Sequence, residues 1–143
     1  MERRWTEMRV WVNGTFDVVH IGHIRLLEHA SAFGKVMVGI DTDERVKLKK
    51  GEGRPFNNLK DRMDFIKSIK FVDSVTSFGS DEELEQKIIE YEPDIMVIGK
   101  DYEYKRIIGQ EYVEKIIFFD RVDDKSTTKI LNYENSRSRG ELH

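Results

Sequence analysis

Five short apolar runs alternate with segments whose apolar residues recur at helical spacing, and this alternation constrains the fold more than any other feature. The runs are residues 8–13, 35–40, 74–78, 95–98 and 116–119. Runs of this length that are bounded by turn residues are typical of strands buried on both faces of a parallel sheet. Strands that alternate with helices form right-handed βαβ units. The sequence therefore predicts an α/β protein with a Rossmann-like, doubly wound sheet of about five parallel strands.

The chain has 143 residues, a length that suits a single domain with one hydrophobic core. We expect this domain to span residues 1–133, followed by a polar C-terminal tail over 134–143. Residues 41–57 should form either a long loop or a short helix and a loop. Two late helices are also expected, a weak one over 107–115 and a short one capped by Ser126 that continues through Leu131.

Composition argues against several classes of protein. Charged residues make up 36% of the chain, and no apolar run approaches the ~20 residues of a membrane span, so we expect a soluble protein without membrane contact. The net charge of -3 argues against a nucleic-acid-binding protein, which usually carries a basic excess. There is no cysteine, and the first residues lack the apolar core of a signal peptide. Together these features lead us to expect a cytoplasmic protein.

The segment from Asn13 to His23 joins the first predicted strand to the first predicted helix. Such a turn lies at the carboxyl edge of an open sheet, where ligands usually bind. Gly14 lets a ligand approach the backbone closely, and unpaired N–H groups at the helix N-terminus suit a phosphate. His20 and His23 are three residues apart, so both should face the same way in the first helical turn. Two imidazoles there can donate to phosphate oxygens whose charge grows during phosphoryl or nucleotidyl transfer.

Two other interpretations apply to histidines of this region. His20 and His23 can instead form a metal site with Asp17 as a third ligand, although zinc helices usually space their histidines four apart. His29, further along the same helix, is expected to be a cap or a surface residue.

The run Gly14-Thr15-Phe16-Asp17 followed by His20-Ile21-Gly22-His23 resembles the signature of the cytidylyltransferase-like nucleotidyltransferases, whose hallmark is H-x-G-H at the first strand–helix turn. The resemblance extends over about residues 9–131. It implies an enzyme that transfers a nucleotidyl group from a nucleoside triphosphate and releases pyrophosphate, with His20 and His23 as catalytic residues. It further implies that four residues of the turn contact the nucleotide: Gly14, Thr15, Phe16 and Gly22.

Three other segments match the family and should meet this turn at the same edge. Lys50, or less favourably Lys47, would draw together the α-phosphate and the acceptor phosphate as a catalytic cation. By resemblance, Gly99 and Asp101 would hold the ribose and base, and Arg62 would face the nucleotide. The β- and γ-phosphates would be held by Arg121 and by a helix start at Ser126, Thr127 and Thr128. A solvated basic loop and ordinary helix caps are the alternative interpretations of these segments.

The sequence resembles two branches of the family. Segments 51–55, 97–102 and 107–113 are similar to the nucleotidyltransferase domain of ADP-heptose synthase, which implies ATP or CTP and a sugar phosphate such as heptose 1-phosphate. The first turn and segment 126–130 are equally similar to glycerol-3-phosphate cytidylyltransferase, which makes CDP-glycerol. Lys100 and the charged segment 123–125 depart from both patterns and leave the base and the acceptor open. With no kinase domain attached, the chain is expected to be a stand-alone transferase.

The resemblance also implies Mg²⁺ held mainly by the substrate phosphates, with no metal site of protein ligands, and a homodimer. A different class of function stays open, namely an inactive nucleotide-binding sensor. Such a sensor would bind the triphosphate without releasing pyrophosphate. A simple interaction module is disfavoured, since it would leave the phosphate-site residues without a role.

Overall fold

The computed structural model describes residues 7–99 and 106–120, together with the backbone of 125–130. Within these residues, strands and helices follow one another in the order β1 (Arg9–Gly14), α1 (Ile21–Ser31), β2 (Lys35–Asp41), α2 (Asp43–Lys50), α3 (Leu59–Lys67), β3 (Ser74–Phe78), α4 (Asp81–Tyr91), β4 (Ile95–Gly99), β5 (Lys115–Asp120) and β6 (Lys125–Ile130). No helix in this part of the chain is long and apolar enough to cross a bilayer.

The strands form one sheet in the order β3-β2-β1-β4-β5-β6. The first five strands are parallel, which confirms the predicted Rossmann-like sheet of five parallel strands. The order runs outward from β1 to β3 on one side and from β4 to β5 on the other, so the direction of winding reverses between β1 and β4. In open α/β sheets a crevice opens at this point, beyond the carboxyl ends of the strands.

The sixth strand corrects the prediction of a helix that begins at Ser126. Residues Lys125–Ile130 pair with β5 in antiparallel orientation, with Ser126 opposite Phe119. The segment contains two threonines and an isoleucine, which favour extended backbone, and β5 offers an open edge for pairing. Because β6 is antiparallel, it begins at the carboxyl edge of the parallel sheet, where Gly99 is level with Phe119.

The weak helix predicted over 107–115 is also wrong, because only a single turn of 3₁₀-helix forms there, at Gln110–Tyr112. Gly109 precedes this turn with a left-handed φ of 87°. A Cβ at that position would lie 2.6 Å from the Ile88 side chain of α4. The close approach to α4 and the left-handed φ therefore interrupt the helical pattern before it reaches Lys115.

The sheet is buried on both faces, as the apolar runs predict. Along β1, Val10 and Val12 pack in the cluster that contains residues of α1 and α3, whereas Trp11 packs with residues of α4 on the opposite face. The Trp11 ring lies directly over Gly39 of β2, where an added Cβ would come within 2.5 Å of it. This close contact explains a glycine in the middle of a buried strand.

Residues 41–57 adopt one of the two arrangements expected, a short helix followed by a loop. Thr42 caps α2 by accepting a hydrogen bond from the Arg45 N–H at 3.3 Å, and the helix ends at Gly51, whose φ is 97°. Asn58 caps α3 in the same way, with its side-chain oxygen 2.8 Å from the Asp61 nitrogen. The loop between these helices returns the chain to the turn that follows β1.

Candidate active site

His20 and His23 cap the first helix together. His20 is the N-cap residue of α1, and its Nδ1 accepts a hydrogen bond from the Gly22 N–H at 3.0 Å. The Nδ1 of His23 accepts from the N–H of His20 at 3.1 Å, which completes a reciprocal capping box. The ring centroids are 4.0 Å apart, which confirms that the two rings share the first turn.

This capping sets the tautomer of both rings. An imidazole nitrogen that accepts a hydrogen bond from a backbone N–H carries no proton, so in the neutral ring the proton resides on Nε2. The two nitrogens of an imidazole point in divergent directions, so each Nε2–H is directed away from the helix backbone. The sequence predicts unpaired N–H groups for a phosphate at the N-terminus of α1. The Gly22 N–H is not one of them, because it donates to His20. The imidazoles take its place as hydrogen-bond donors at this end of α1.

Phe16 packs its ring against the ring of His23. Its φ of 52° lies in the left-handed region, its side chain is buried, and its ring contacts His23 edge-on at 5.4 Å. A Cβ on Gly14 would lie 3.0 Å from the Phe16 ring, so Gly14 makes room for that ring. The buried side chain of Phe16 therefore restrains His23, and its predicted contact with the nucleotide stays a prediction.

Asp17 fastens the loop before α3 to the first turn. Its carboxylate accepts hydrogen bonds from the N–H groups of Phe56 and Asn57, both at 2.8 Å, and pairs with Arg54 at 3.3 Å. The Asn57 side chain in turn donates to the Asp17 carbonyl at 2.6 Å. Burial raises the pKa of Asp17, but these backbone N–H groups and the Arg54 guanidinium outweigh burial and hold the pKa below its ordinary value.

These contacts argue against the alternative interpretation, a metal site with Asp17 as a ligand. The Asp17 carboxylate is directed at the loop and accepts three hydrogen bonds from it. Across the described residues, no group of three or more histidines and carboxylates is arranged to hold a metal ion.

Arg62 links the same loop to the sheet. Its Nε donates to the Asn57 carbonyl at 2.8 Å, and one terminal nitrogen donates to the carbonyls of Thr15 and Asp41 at 3.0 and 2.8 Å. The other terminal nitrogen pairs with Asp43 at 2.6 Å. With its side chain 1% exposed, Arg62 does not fit the predicted direct contact with a nucleotide. It joins β1, β2, α2 and the loop, and so positions the turn.

A cleft of about 260 Å³ lies beyond the carboxyl ends of β1 and β4, where the winding reverses. Three cationic side chains line it: Arg45, Lys49 and Arg106. The other lining residues are 12–14, Leu26, Asp41, Phe78, Leu84, 97–99, Ile107 and Ile108. Neither His20 nor His23 is among these lining residues, but the turn and the helix that carry the two histidines contribute Gly14 and Leu26 to the lining.

Lys49, rather than the predicted Lys50, lies on this cleft. Lys50 and Lys47 are exposed residues of the last turn of α2, and neither contributes to the described lining. Arg45 and Lys49 were both missed by the sequence analysis. They are four residues apart and share one face of α2, a signal that becomes visible only when Asp43–Lys50 is read as a helix.

The remaining predicted residues fall into three groups. Gly99 lines the cleft at the end of β4, and Thr15 lies in the turn with its carbonyl bound to Arg62. Ser126, Thr127 and Thr128 lie in β6, which begins level with Gly99 at the carboxyl edge, and not at a helix start. Asp101 and Arg121 lie outside the described residues, so their predicted contacts stay predictions.

His29 is half-buried rather than at the surface. Its ring packs against Phe33 and Phe119, with centroid distances of 5.2 and 5.0 Å, and its Nε2 makes no hydrogen bond with any described residue. Burial lowers the pKa of His29 below its ordinary value. His29 belongs to the packing of α1 on the sheet.

Known proteins resemble this chain over most of its length. The family described as Cytidylyltransferase-like matches residues 11–132. The Bifunctional protein HldE of Campylobacter fetus is 42% identical over 124 residues, which cover 86% of this chain and 27% of that protein. The protein of the same name from Sulfurimonas denitrificans is 40% identical over 136 residues, which cover 94% of this chain and 27% of that protein. The chain thus spans about a quarter of the length of these curated relatives.

A solved structure agrees with the fold. The crystal structure of the lipopolysaccharide core biosynthesis protein from Thermoplasma volcanium matches with a TM-score of 0.61 and 27% identity, covering 68% of this chain and 79% of that one. The family match over residues 11–132 agrees with two features of the structure. These are the histidine pair at the first turn and the cationic cleft where the direction of winding reverses. The chain belongs to the cytidylyltransferase-like family of nucleotidyltransferases.

Proposed function

We propose that this chain transfers a nucleotidyl group from ATP or CTP to a sugar phosphate such as heptose 1-phosphate and releases pyrophosphate. The observation that carries this proposal is the pair of histidines whose Nδ1 atoms cap α1, on a turn that also contributes Gly14 to a cationic cleft. A sugar phosphate is favoured by the curated relatives named Bifunctional protein HldE and by the neighbour named for lipopolysaccharide core biosynthesis. The similarity of three segments to ADP-heptose synthase points in the same direction.

The proposed reaction is an in-line substitution at the α-phosphorus. An oxygen of the acceptor phosphate forms the new bond to phosphorus, the bond to the bridging oxygen breaks, and pyrophosphate leaves with that oxygen. The acceptor phosphate is already ionised near neutral pH, so no strong general base is needed. Catalysis then rests on positioning and on stabilising negative charge. His20 and His23 donate from Nε2 to the α-phosphate oxygens and the leaving oxygen.

The two walls of the cleft suit the two substrates. The wall beside β4 is mainly apolar, with Ile98, Ile107 and Ile108 next to the cation of Arg106, and the space beside Gly99 is open among the described residues. A flat nucleobase fits such a wall, and Asp101, Arg121 and residues 126–128 are proposed to hold the ribose and phosphates on that side. The wall beside β2 carries Lys49, which would draw the acceptor phosphate toward the α-phosphate.

Magnesium is proposed to arrive with the triphosphate. The described residues offer no cluster of three or more metal-ligating side chains, and Asp17 is committed to the loop, so this donor set fits an ion held mainly by phosphate oxygens. When bound, Mg²⁺ would neutralise negative charge on the triphosphate.

A pyrophosphate-release assay tests the proposal. Each of ATP, CTP, GTP and UTP is combined with heptose 1-phosphate or glycerol 3-phosphate in the presence of Mg²⁺. Release with heptose 1-phosphate and one triphosphate is the expected result. Release only with CTP and glycerol 3-phosphate would move the protein to the second branch of the family. Triphosphate binding without release in any combination would favour the inactive sensor.

The lysine assignment is tested in the same assay. Lys49→Ala should lower kcat/KM by about 10- to 100-fold, since one charge-assisted contact with phosphate is lost. Lys67→Ala is a matched control, because Lys67 is also an exposed lysine in the last turn of its helix, α3, but lies off the cleft. Equal activities of the two variants would contradict the role of Lys49.

A further inference from the structure

Asp41 is a buried charged residue at the carboxyl end of β2 and is among the residues that line the cleft. Asp41 is 7% exposed. Its main-chain carbonyl is bound by Arg62, but its side chain accepts no hydrogen bond from any described residue. The contact that the side chain does make is an ion pair with the Nε of Arg45 at 3.3 Å. A buried carboxylate with unused acceptor capacity is costly unless a ligand supplies donors.

Arg45 is held mainly by other partners. Its guanidinium lies 5.2 Å over the Phe78 ring and pairs with Asp81 at 2.6 Å. Its Nε is buried and has no hydrogen-bond acceptor within the described part of the chain, because the approach of Asp41 lacks the alignment of a hydrogen bond. Arg45, whose side chain is 9% exposed, therefore anchors one side of Asp41 and leaves the carboxylate available to the cleft.

We propose that Asp41 is a specificity-determining residue that accepts hydrogen bonds from the sugar hydroxyls of the acceptor. This inference rests on the proposed function and adds the substrate class of the second site, a phosphate ester of a polyhydroxylated molecule. An ionised carboxylate forms short, charge-assisted hydrogen bonds with neutral hydroxyl donors. A site built in this way rejects acceptors that lack the hydroxyl, because the buried carboxylate is then left unpaired.

The location agrees with the other contacts of the acceptor. Asp41 ends the strand beside β1, which leads into the histidine turn, and Lys49 follows on the same wall of the cleft. The side of the cleft beside β4 is mainly apolar, with Arg106 as its charged side chain among the described residues, so it offers a sugar few hydrogen-bond acceptors. In the described part of the chain, the charged lining consists of Arg45, Lys49 and Arg106 against the single carboxylate of Asp41, so the site disfavours a cationic acceptor such as an aminoalkyl phosphate.

Kinetics of Asp41→Asn provide the first test. The KM for heptose 1-phosphate should rise by about 10- to 100-fold, the range for losing a hydrogen bond to a charged group, whereas the KM for the triphosphate should stay unchanged. Asp81→Asn is the matched control, because Asp81 also pairs with Arg45 but is exposed and does not line the cleft. Equal rises in KM for both variants would overturn the proposal, since Asp41 would then act only through Arg45.

Acceptor analogues supply a second test, which compares the wild type with Asp41→Asn. Monodeoxy heptose 1-phosphates should lose activity with the wild-type protein, and at least one of these losses should vanish in Asp41→Asn. Such non-additivity identifies the hydroxyl that Asp41 contacts. If the same losses occur in both proteins, Asp41 contacts no hydroxyl and the proposal is wrong.

Binding measurements separate this inference from the proposed function. Calorimetry with heptose 1-phosphate, in the presence of an unreactive triphosphate analogue, should show binding that Asp41→Asn weakens, while binding of inorganic phosphate stays the same. This result would support the acceptor site even if no pyrophosphate were released, in which case the proposed reaction alone would fail. Pyrophosphate release by the wild type with unchanged acceptor binding in Asp41→Asn would overturn the inference and leave the proposed function intact.

Discussion

Each histidine of the first turn is held through its Nδ1 atom. Hydrogen bonds from the N–H groups of Gly22 and His20 to the two Nδ1 atoms select the tautomer, and the edge of the Phe16 ring restrains His23. A histidine that is oriented before substrate binds loses little freedom in the transition state. The helix cap and the donor pair are therefore the same structure.

His20→Asn separates capping from catalysis, because asparagine is a good N-cap but lacks an N–H at the position of Nε2. We expect the free energy of unfolding to change little, while kcat falls by about 100- to 1,000-fold, as for loss of one transition-state donor. Urea denaturation and steady-state kinetics measure the two quantities. Glu28→Ala, on an exposed position of the same helix, controls for a general effect on α1. Near-normal kcat in His20→Asn would remove His20 from the mechanism.

At the scale of elements, the loop between α2 and α3 is tied to the turn after β1 by buried polar contacts. Asp17 binds the backbone of Phe56 and Asn57, and Arg62 binds the carbonyls of Asn57, Thr15 and Asp41. The same contacts join β2 and α2, which carry Asp41 and Lys49 to the cleft. The loop thus aligns the two sides of the site.

Asp17→Asn should loosen this loop. An amide oxygen cannot replace both oxygens of the carboxylate, so we expect a loss of about 1–3 kcal/mol in the free energy of unfolding and faster amide exchange at Phe56 and Asn57. Asp64→Asn is the control, because Asp64 forms an exposed pair with Lys60 that contributes little. Unchanged exchange at both amides would show that Asp17 does not hold the loop.

The stabilisation that Asp17 provides should depend on pH. The pKa of Asp17 lies below its ordinary value in the folded protein, so its stabilisation is present at neutral pH and lost as pH falls through the folded-state pKa. The difference in stability between wild type and Asp17→Asn should accordingly shrink in acid.

At the scale of the whole molecule, the sheet is covered by α1 and α3 on one face and by α4 on the other, and β6 closes the β5 edge. This covering places His29 in the packing between α1 and Phe119. Since burial disfavours its charged form, a proton is bound more tightly in the unfolded chain than in the folded one.

The stability of the protein should therefore fall as pH is lowered through the ordinary pKa of histidine. We expect a lower melting temperature at about pH 5.5 than at about pH 7.5, and a smaller decrease in His29→Leu, which keeps an apolar side chain at this position. The comparison of the two proteins removes contributions from the other histidines. Identical decreases would show that His29 does not contribute to the pH dependence.

The sequence by itself determined the parallel part of the sheet and the position of the reactive turn. Buried parallel strands and amphipathic helices have strong local periodicity, and the turn from Gly14 to His23 follows directly from the first of these strands. The helix at 126–131 was predicted wrongly for a physical reason. Ser126 is a good cap in isolation, but the free edge of β5 pairs with this segment, and strand pairing is a long-range contact that no local pattern encodes.

Only the tertiary structure decided which polar side chains serve the cleft. The sequence predicts that Arg62 contacts the nucleotide. In the structure its guanidinium instead donates hydrogen bonds to backbone carbonyls of residues 5 to 47 positions away along the chain. Lys49 lines the cleft and Lys50 does not, because the orientation of α2 against β2 selects one helical face, whereas the catalytic role of Lys50 stays a prediction. Asp41 became a candidate only when its burial and its unused acceptor capacity were visible. Local periodicity encodes elements, whereas side-chain partners depend on how distant elements meet.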